Sequence, residues 1–472
     1  MAQGTIEKRE AQRSDSRRSF SEARGAVPPA SIAEDLRALA RGPRELWIIF
    51  VATFLEYLGV FSFLLTLPLW LTSDYGMNDK TAGWWAATFS TVLTLFVFLV
   101  GAIADAAGIR RTLIAAFALS ALTRLAMSLA PTPRLAIVAL MAFSVAFATS
   151  GPVLQAAVNR ASTKRTRAFA FSLWYVSFNL AGALVGPLVI DPTRRAFLDA
   201  SGKLAKRTVT LPLLGPREVS AYAVIMAFGF VFATLAALVT LTLRRDFEER
   251  IDPEDVGEVR VAKKNPFAVV REVVSDRIFW RFVALLGLLA LVKMMFQHMH
   301  FTWPKYVLRE RGDAFPVGTV WSLNSLLILG LAPLGTALTR KRKPFEVLLV
   351  GAFISSLSPF VLCFGSGMPF QIAMIGLLTI GEALWSPRSY EYMVAVAPRG
   401  RESTYVALGA LPYFLAKFLV GPSSGYLLAR FCPASGPRES ALMWAAIGAT
   451  TIIGPIGMLL GRRWISDGAR VA

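Results

Sequence analysis

The sequence predicts an all-α membrane protein with twelve transmembrane helices in two pseudo-symmetric six-helix bundles. Twelve apolar stretches, each about 20–25 residues long and separated by short hydrophilic joints, fill the chain from about Trp47 to Gly461. About 20 helical residues cross a hydrocarbon core roughly 30 Å thick. Only helices or closed barrels satisfy every backbone amide there, and these stretches lack the period-two alternation of a barrel strand. Mean hydropathy is +0.52 with 55% apolar residues, above the composition of a soluble domain. Glycine and proline landmarks also recur between the two halves.

Taken in order, a basic tail occupies 1–45 (Lys8, Arg9, Arg13, Arg17, Arg18, Arg24). It has no interleaved aromatics, so the formal charge of +19 reads as lipid attraction and topology, with no nucleic-acid partner expected. No apolar core falls within the first 30 residues, so helix 1 is expected to direct insertion itself. Helices 1 to 6 are expected at about 46–71, 82–104, 111–130, 134–158, 167–190 and 220–243, forming an N-terminal bundle over 46–243. A polar connector at 244–280 follows, its end (Asn265 to Trp280) reading as an amphipathic helix lying in the interface. Helices 7 to 12, at about 281–303, 317–338, 345–364, 369–392, 403–429 and 440–461, form the C-terminal bundle over 281–461, and 462–472 is a second tail.

Lys and Arg cluster in alternate joints, which places both termini in the cytoplasm of a multi-pass cell-membrane protein. The joint at 191–219, with Arg194, Arg195, Lys203, Lys206, Arg207 and Arg217, runs against that bias. The two cysteines, Cys363 and Cys432, fall toward the outer face, which leaves a disulfide between them open. No metal-ligand spacing, nucleotide loop or nucleophile–base arrangement stands out, so neither a cofactor nor an enzyme activity is expected.

Gly186-Pro187 in helix 5 recurs as Gly421-Pro422 in helix 11, and Pro152 in helix 4 as Pro387 in helix 10; both offsets are 235 (421 − 186 and 387 − 152). Gly101 and Gly335, ending helices 2 and 8, differ by 234 (335 − 101). Three landmarks at nearly one offset imply a duplication. Such repeats place a binding site at the midplane between the halves.

The stretch Gly101-Ala-Ile-Ala-Asp105-Ala-Ala-Gly108-Ile-Arg110-Arg111 resembles the helix 2–3 signature of the major facilitator superfamily. The resemblance implies the major facilitator fold, a gate formed by Gly101, Asp105, Gly108, Arg110 and Arg111, and a monomer. Three further segments resemble the proton-dependent oligopeptide transporters: Phe171 through Trp174, Tyr175, Asn179 and Gly182 to Pro187; Ser322 through Asn324 to Leu334; and Gly381-Glu382 through Ser386-Pro387 to Pro398. They are similar to helices 5, 8 and 10 of that family, whose helix 10 glutamate faces the central cavity. The resemblance assigns that role to Glu382, with Tyr175, Asn179 and Asn324 as polar lining. The chain departs from the family at helix 1, where Glu56 matches the second of two glutamates but Thr53 and Tyr57 stand at the other charged positions, and at helix 4, where Val153 replaces a lysine. It reads as a divergent relative.

Charge buried at mid-helix costs about 2.5–3.5 kcal/mol on insertion scales and marks candidate function. Lys293 lies in the middle of helix 7, and helical phase puts Gln297 and His300 on its face, with His298 pointing away. His300 is a candidate proton relay. Lys417 in helix 11 lies at similar depth, and Arg388 with Glu391 in helix 10 reads as an inner gate. Arg124 in helix 3 reads as snorkelling or structural. The expectation is that Glu56, Glu382, Lys293 and Lys417 share one cavity and couple protons to symport of a small polar or zwitterionic solute, peptide-like included. Its partners are that solute, protons and the lipid bilayer. Gly182-x-x-x-Gly186-Pro187 also resembles the antiporter motif of drug-efflux members, which keeps efflux as the alternative; a sensor or scaffold on the same fold is the third reading.

Overall fold

The computed structural model describes residues 42–162, 166–211, 215–244, 277–396 and 411–466. Residues 1–41 of the basic tail, the body of the connector, the start of helix 11 and residues 467–472 of the second tail lie outside them, while Arg462–Ser466 of that tail form a short helix. The described helices are α1 (Arg44–Tyr75), α2 (Asp79–Ala107), α3 (Ile109–Leu129), α4 (Pro133–Ala161), α5 (Arg167–Val185) and α6 (Ala221–Leu241), then α7 (Arg277–Phe301), α8 (Val317–Thr339), α9 (Pro344–Val361), α10 (Met368–Val396), α11 (Leu411–Phe431) and α12 (Ser440–Leu460). Ten of them are long and apolar enough to cross a membrane on their own, and α2 and α11 complete the set of twelve.

Local chemistry sets the joints. Pro43 precedes α1, and Gly76, at φ 63°, ends it. Asn78, Thr132 and Ser220 cap α2, α4 and α6 by accepting from the backbone N–H of Thr81, Leu135 and Ala223, which satisfies donors that a helix start leaves open. Gly108, at φ 86°, turns α2 into α3, a conformation that favours glycine. Arg110 donates to the carbonyls of Leu241 and Leu243, at 2.9 Å each, and so caps the C-terminus of α6. That is the structural work of one arginine of the signature. Gly101 and Asp105 lie in α2, with side chains outside the described set, and Arg111 is exposed.

The long joint at 191–219, read from the sequence only as a basic connection, carries regular structure. α5 passes through a π-helical turn at Gly186–Ile190 into a helical extension at Asp191–Ala196, and two antiparallel strands follow, β1 (Arg207–Leu211) and β2 (Gly215–Val219). Arg194, counted from sequence as a stray outer cation, is buried and donates to the carbonyls of Asp313 and Phe315. α7 begins at Arg277, so the expected interfacial helix gives up its last residues to α7. A helical extension at Trp303–Arg311 also continues beyond α7, where a loop was expected. Cys363 and Cys432 are both free thiols.

α1 packs on α5 and α6, α3 on α4 and α6, and α2 on α4; in the second half α8 and α9 pack on α10, and α7 and α9 on α12. The halves meet through α1–α7, α2–α11 and α5–α8. Exchanging each helix for its partner six positions on turns α5–α8 into α11–α2, so the contacts obey the pseudo-twofold relation that the repeated Gly-Pro steps announced. Both glycines sit in these seams. A Cβ on Gly186 would run into the backbone of Gly318 in α8, and one on Gly421 would reach the Ala87 Cβ in α2 at 2.5 Å. The Gly186 N–H donates to Ser322 Oγ across the seam (3.1 Å).

These seams lie toward the face opposite the described chain ends, called here the far face. Polar contacts between the halves seal it. Asp79 at the start of α2 binds Lys305 (3.0 Å) and Arg309 (2.8 Å) on the α7 extension. The Asp191 carboxylate accepts from the Gly318 and Thr319 N–H groups (2.8 and 2.7 Å), capping α8 across the interface, where helix N–H groups favour an anion. Burial pushes the Lys305 ammonium down to about 8, with Asp79 opposing that fall. Among the described residues no seam of that extent joins α4 or α5 to α10 or α11 at the near face, where the described ends lie.

Asp79→Asn leaves two cations facing a neutral amide. Loss of a charged hydrogen bond costs about 1.5–3 kcal/mol, so the population open at the far face is expected to rise at least about tenfold. Spin labels at Ser73→Cys and Arg311→Cys, with Cys363→Ser and Cys432→Ser, should then show a longer distance component; an unchanged distribution would remove the latch role.

Candidate functional site

Ionisable side chains that lie deep in the described helices include Glu56 on α1, Arg124 on α3, Lys293 on α7, Glu382 on α10 and Lys417 on α11. The structure divides them into two groups rather than gathering them in one cavity.

Glu56 is the correction. It is fully buried inside the N-terminal bundle, where Arg124 donates to both carboxylate oxygens at 3.1 and 3.3 Å and Ser120 adds a hydroxyl at 3.2 Å. The guanidinium also reaches the Gly229 carbonyl of α6 at 3.3 Å and lies 4.6 Å from the Phe143 ring centroid. Gly59 on α1 and Gly229 on α6 make room for it: a Cβ at either would approach Arg124 atoms to 2.8 and 2.9 Å. Glu56 is therefore spent on holding α1, α3 and α6 together and does not face the charges of the other half. Arg124, read from sequence as snorkelling or structural, is the partner that decides this.

Lys293, Asn324 and Glu382 do come together. Asn324 Nδ2 donates to Glu382 Oε2 and lies 3.0 Å from Thr379 Oγ1. Lys293 is buried within electrostatic reach of Glu382, its ammonium 5.5 Å from the Trp385 ring centroid. Trp385 is fixed from both sides, donating Nε1–H to Ser355 Oγ (3.1 Å) and meeting Phe296 edge-on. One wall of the C-terminal bundle thus carries a cation, a carboxylate and an amide on three helices.

His300 and Lys417 stand beside that wall. His300 Nδ1 meets the Phe296 carbonyl at 2.8 Å, its ring packs on Trp321, and Lys417 lies within electrostatic reach. Gln297 is buried, with no hydrogen-bond partner among the described residues. His298 turns away, as phase required, to Thr302 Oγ1 at 2.7 Å. On the opposite wall Asn179 bonds the Tyr175 carbonyl one turn back (2.9 Å), and Tyr175 packs on Phe178. Arg388 donates to Thr339 Oγ1 at the end of α8 (3.1 Å), while the Glu391 side chain lies outside the described set, so an Arg388–Glu391 pair remains an expectation.

Sequence reading missed a run of rings joining the two walls. Trp174, Phe178, Tyr57, Phe61, Trp321 and His300 follow one another at centroid separations of 5.2, 5.3, 5.5, 5.5 and 5.5 Å. They come from α5, α1, α8 and α7; Trp174 with Phe178 and Tyr57 with Phe61 are four apart on one helix, but no spacing along the chain links one helix's rings to the next. The far-face residues Asp79, Asp191, Lys305 and Arg309 were missed for the same reason.

With this geometry in place, comparison with known proteins is direct. The Major Facilitator Superfamily profile matches residues 49–421, and the chain belongs to that superfamily, a family of transporters rather than enzymes. Solved structures share the fold at low identity. A peptide transporter of the POT family bound to sulfate aligns with TM-score 0.69 and 15% identity, over 91% of this chain and 96% of that one. A POT family transporter in complex with 5-aminolevulinic acid gives 0.66 and 15%, over 90% and 97%. The nucleoside transporter NupG gives 0.67 and 10%, over 88% and 99%. No curated protein sequence matches the chain. The resemblance read in helices 5, 8 and 10 and these shared folds lead to the same relatives.

Breaking the Glu56–Arg124 pair strands a buried charge, which costs about 3–5 kcal/mol. Glu56→Gln and Arg124→Leu should each lower the melting temperature sharply, whereas the double variant Glu56→Leu/Arg124→Met should lose less than either single change. Single variants that melt like the parent would show that the pair carries no stability.

Proposed function

We propose that this secondary transporter carries a small polar or zwitterionic organic solute, peptide-like compounds included, by proton-coupled symport as a monomer of the cell membrane with both termini in the cytoplasm. The far face, where Asp79 and Asp191 join the halves, is then extracellular. The observation that carries the reading is the Glu382–Asn324–Lys293 cluster on the cavity wall. Opposite charges in a medium of low dielectric hold each other and are costly to part. A proton on Glu382 removes the charge that faces Lys293, and a bound solute group can take its place. Each exchange alters the balance between wall and ligand, and a ligand shifts a two-state carrier only through such differential affinity. In this reading His300, two turns along α7 from Lys293, serves as the proton relay.

A second reading, efflux by antiport, is favoured by one observation: Gly182 and Gly186 form a close seam against Ser325 and Gly318 of α8, the packing a Gly-x-x-x-Gly-Pro step provides. Proton flux in vesicles of purified protein, measured with dipeptides, amino acids and cationic drugs, separates the two by sign. Symport moves protons with the solute, antiport against it.

Glu382→Gln is expected to abolish pH-driven accumulation, at least about tenfold by the loss of one charge-assisted interaction, while counterflow exchange persists. Accumulation at the parental rate would rule out this carboxylate as the coupling group.

A further inference from the structure

The deep charges do not balance. Glu56 and Arg124 cancel inside the N-terminal bundle, and Lys293 and Glu382 face each other on the cavity wall. Lys417 is left over, with no hydrogen bond or ion pair among the described residues. Its place on α11 is informative. Ala416 and Val420 beside it are fully buried, and Lys417 shares a helical face with Gly421, Ser424 and Leu428. That face packs on α2 through Gly421 and Gly425, whereas Phe418 and Leu419 on the adjacent faces are exposed. Lys417 lies one turn nearer the start of α11 than the Gly421 contact, on the side that looks toward the other half. His300 links it to the rings: Lys417 is within electrostatic reach of His300, whose ring meets Trp321, which in turn meets Phe61 of the other half.

A lone ammonium at that depth has a strong preference among ligands. A cationic solute adds repulsion, and a neutral one leaves the charge unmatched. An anionic group supplies the missing partner and can dehydrate with it. The rings beside it offer apolar area and edges to a planar body. We propose that the transported solute carries a carboxylate or equivalent anionic group that pairs with Lys417, and a planar apolar body that lies against Phe61 and Trp321. This rests on the transporter reading and narrows its substrate class. The anion is read by the C-terminal half, because Arg124, deep in the described N-terminal bundle, is already engaged by Glu56, and Arg194 is held at the far face by the Asp313 and Phe315 carbonyls.

The test uses three probes with one ring and different charge: phenylacetate, phenylacetamide and phenethylamine. Their binding to purified full-length protein in nanodiscs is measured by calorimetry. Phenylacetate is expected to bind at least about tenfold more tightly than the other two, the worth of one charge-assisted hydrogen bond. Lys417→Gln should erase that preference with phenylacetamide binding unchanged, and Lys417→Arg should keep it. Equal or tighter binding of the amide or the amine, no binding of phenylacetate up to its solubility limit, or a preference that survives Lys417→Gln each overturns the proposal. The comparison across probes needs only the parent protein, so a variant that fails to fold does not protect the idea. pH-driven flux of another solute in vesicles, with none of the probes bound, would sink the anion site and leave the transporter reading standing; absence of both would sink both.

Discussion

Charge in hydrocarbon must be matched, and that constraint organises the interior of this protein. A lysine or carboxylate far from water survives only with a partner close enough to repay its lost hydration. The N-terminal bundle resolves the problem completely: Arg124 grips Glu56 with two hydrogen bonds, and two glycines leave space for the guanidinium. In the C-terminal bundle Lys293 lies 5.5 Å from the Trp385 ring centroid and within electrostatic reach of Glu382, whose carboxylate accepts from Asn324.

The interface between halves follows a different rule, that of close approach. Backbones can slide against each other only where side chains are absent, and Gly186, Gly318 and Gly421 provide that on both sides of the pseudo-twofold axis. Above those seams, Asp79 and Asp191 reach from the first half into the second. Small residues give the surfaces along which the halves meet, and acidic residues hold them once met. Both contacts are made between protein groups of the two halves.

Much of the fold was legible in the chain because length, apolarity and repeated Gly-Pro steps are local or periodic signals. The grouping of Lys293, Asn324 and Glu382 followed from helical phase and resemblance. Glu56 was placed wrongly because phase tells which side of α1 it occupies, not which helix stands there; its partner lies 68 residues away on α3. Arg194 misled in the opposite direction. As a tally of outer cations it weakened the topology argument, whereas its guanidinium is buried in bonds to the loop before α8. The ring ladder was invisible because four helices contribute to it without any common spacing. The β-hairpin after α5 was lost in a joint judged only by its polarity.

The cap that Asp191 places on α8 ties the motion to hydration. When the halves part at that face, the Gly318 and Thr319 amides lose their carboxylate acceptor, and water is the replacement both can find. Opening there is accordingly a wetting event, in which the start of α8 and the Asp191 carboxylate each gain a shell of solvent. Osmotic stress, which withdraws water from crevices, therefore presses the carrier toward its sealed form even when no cargo is bound.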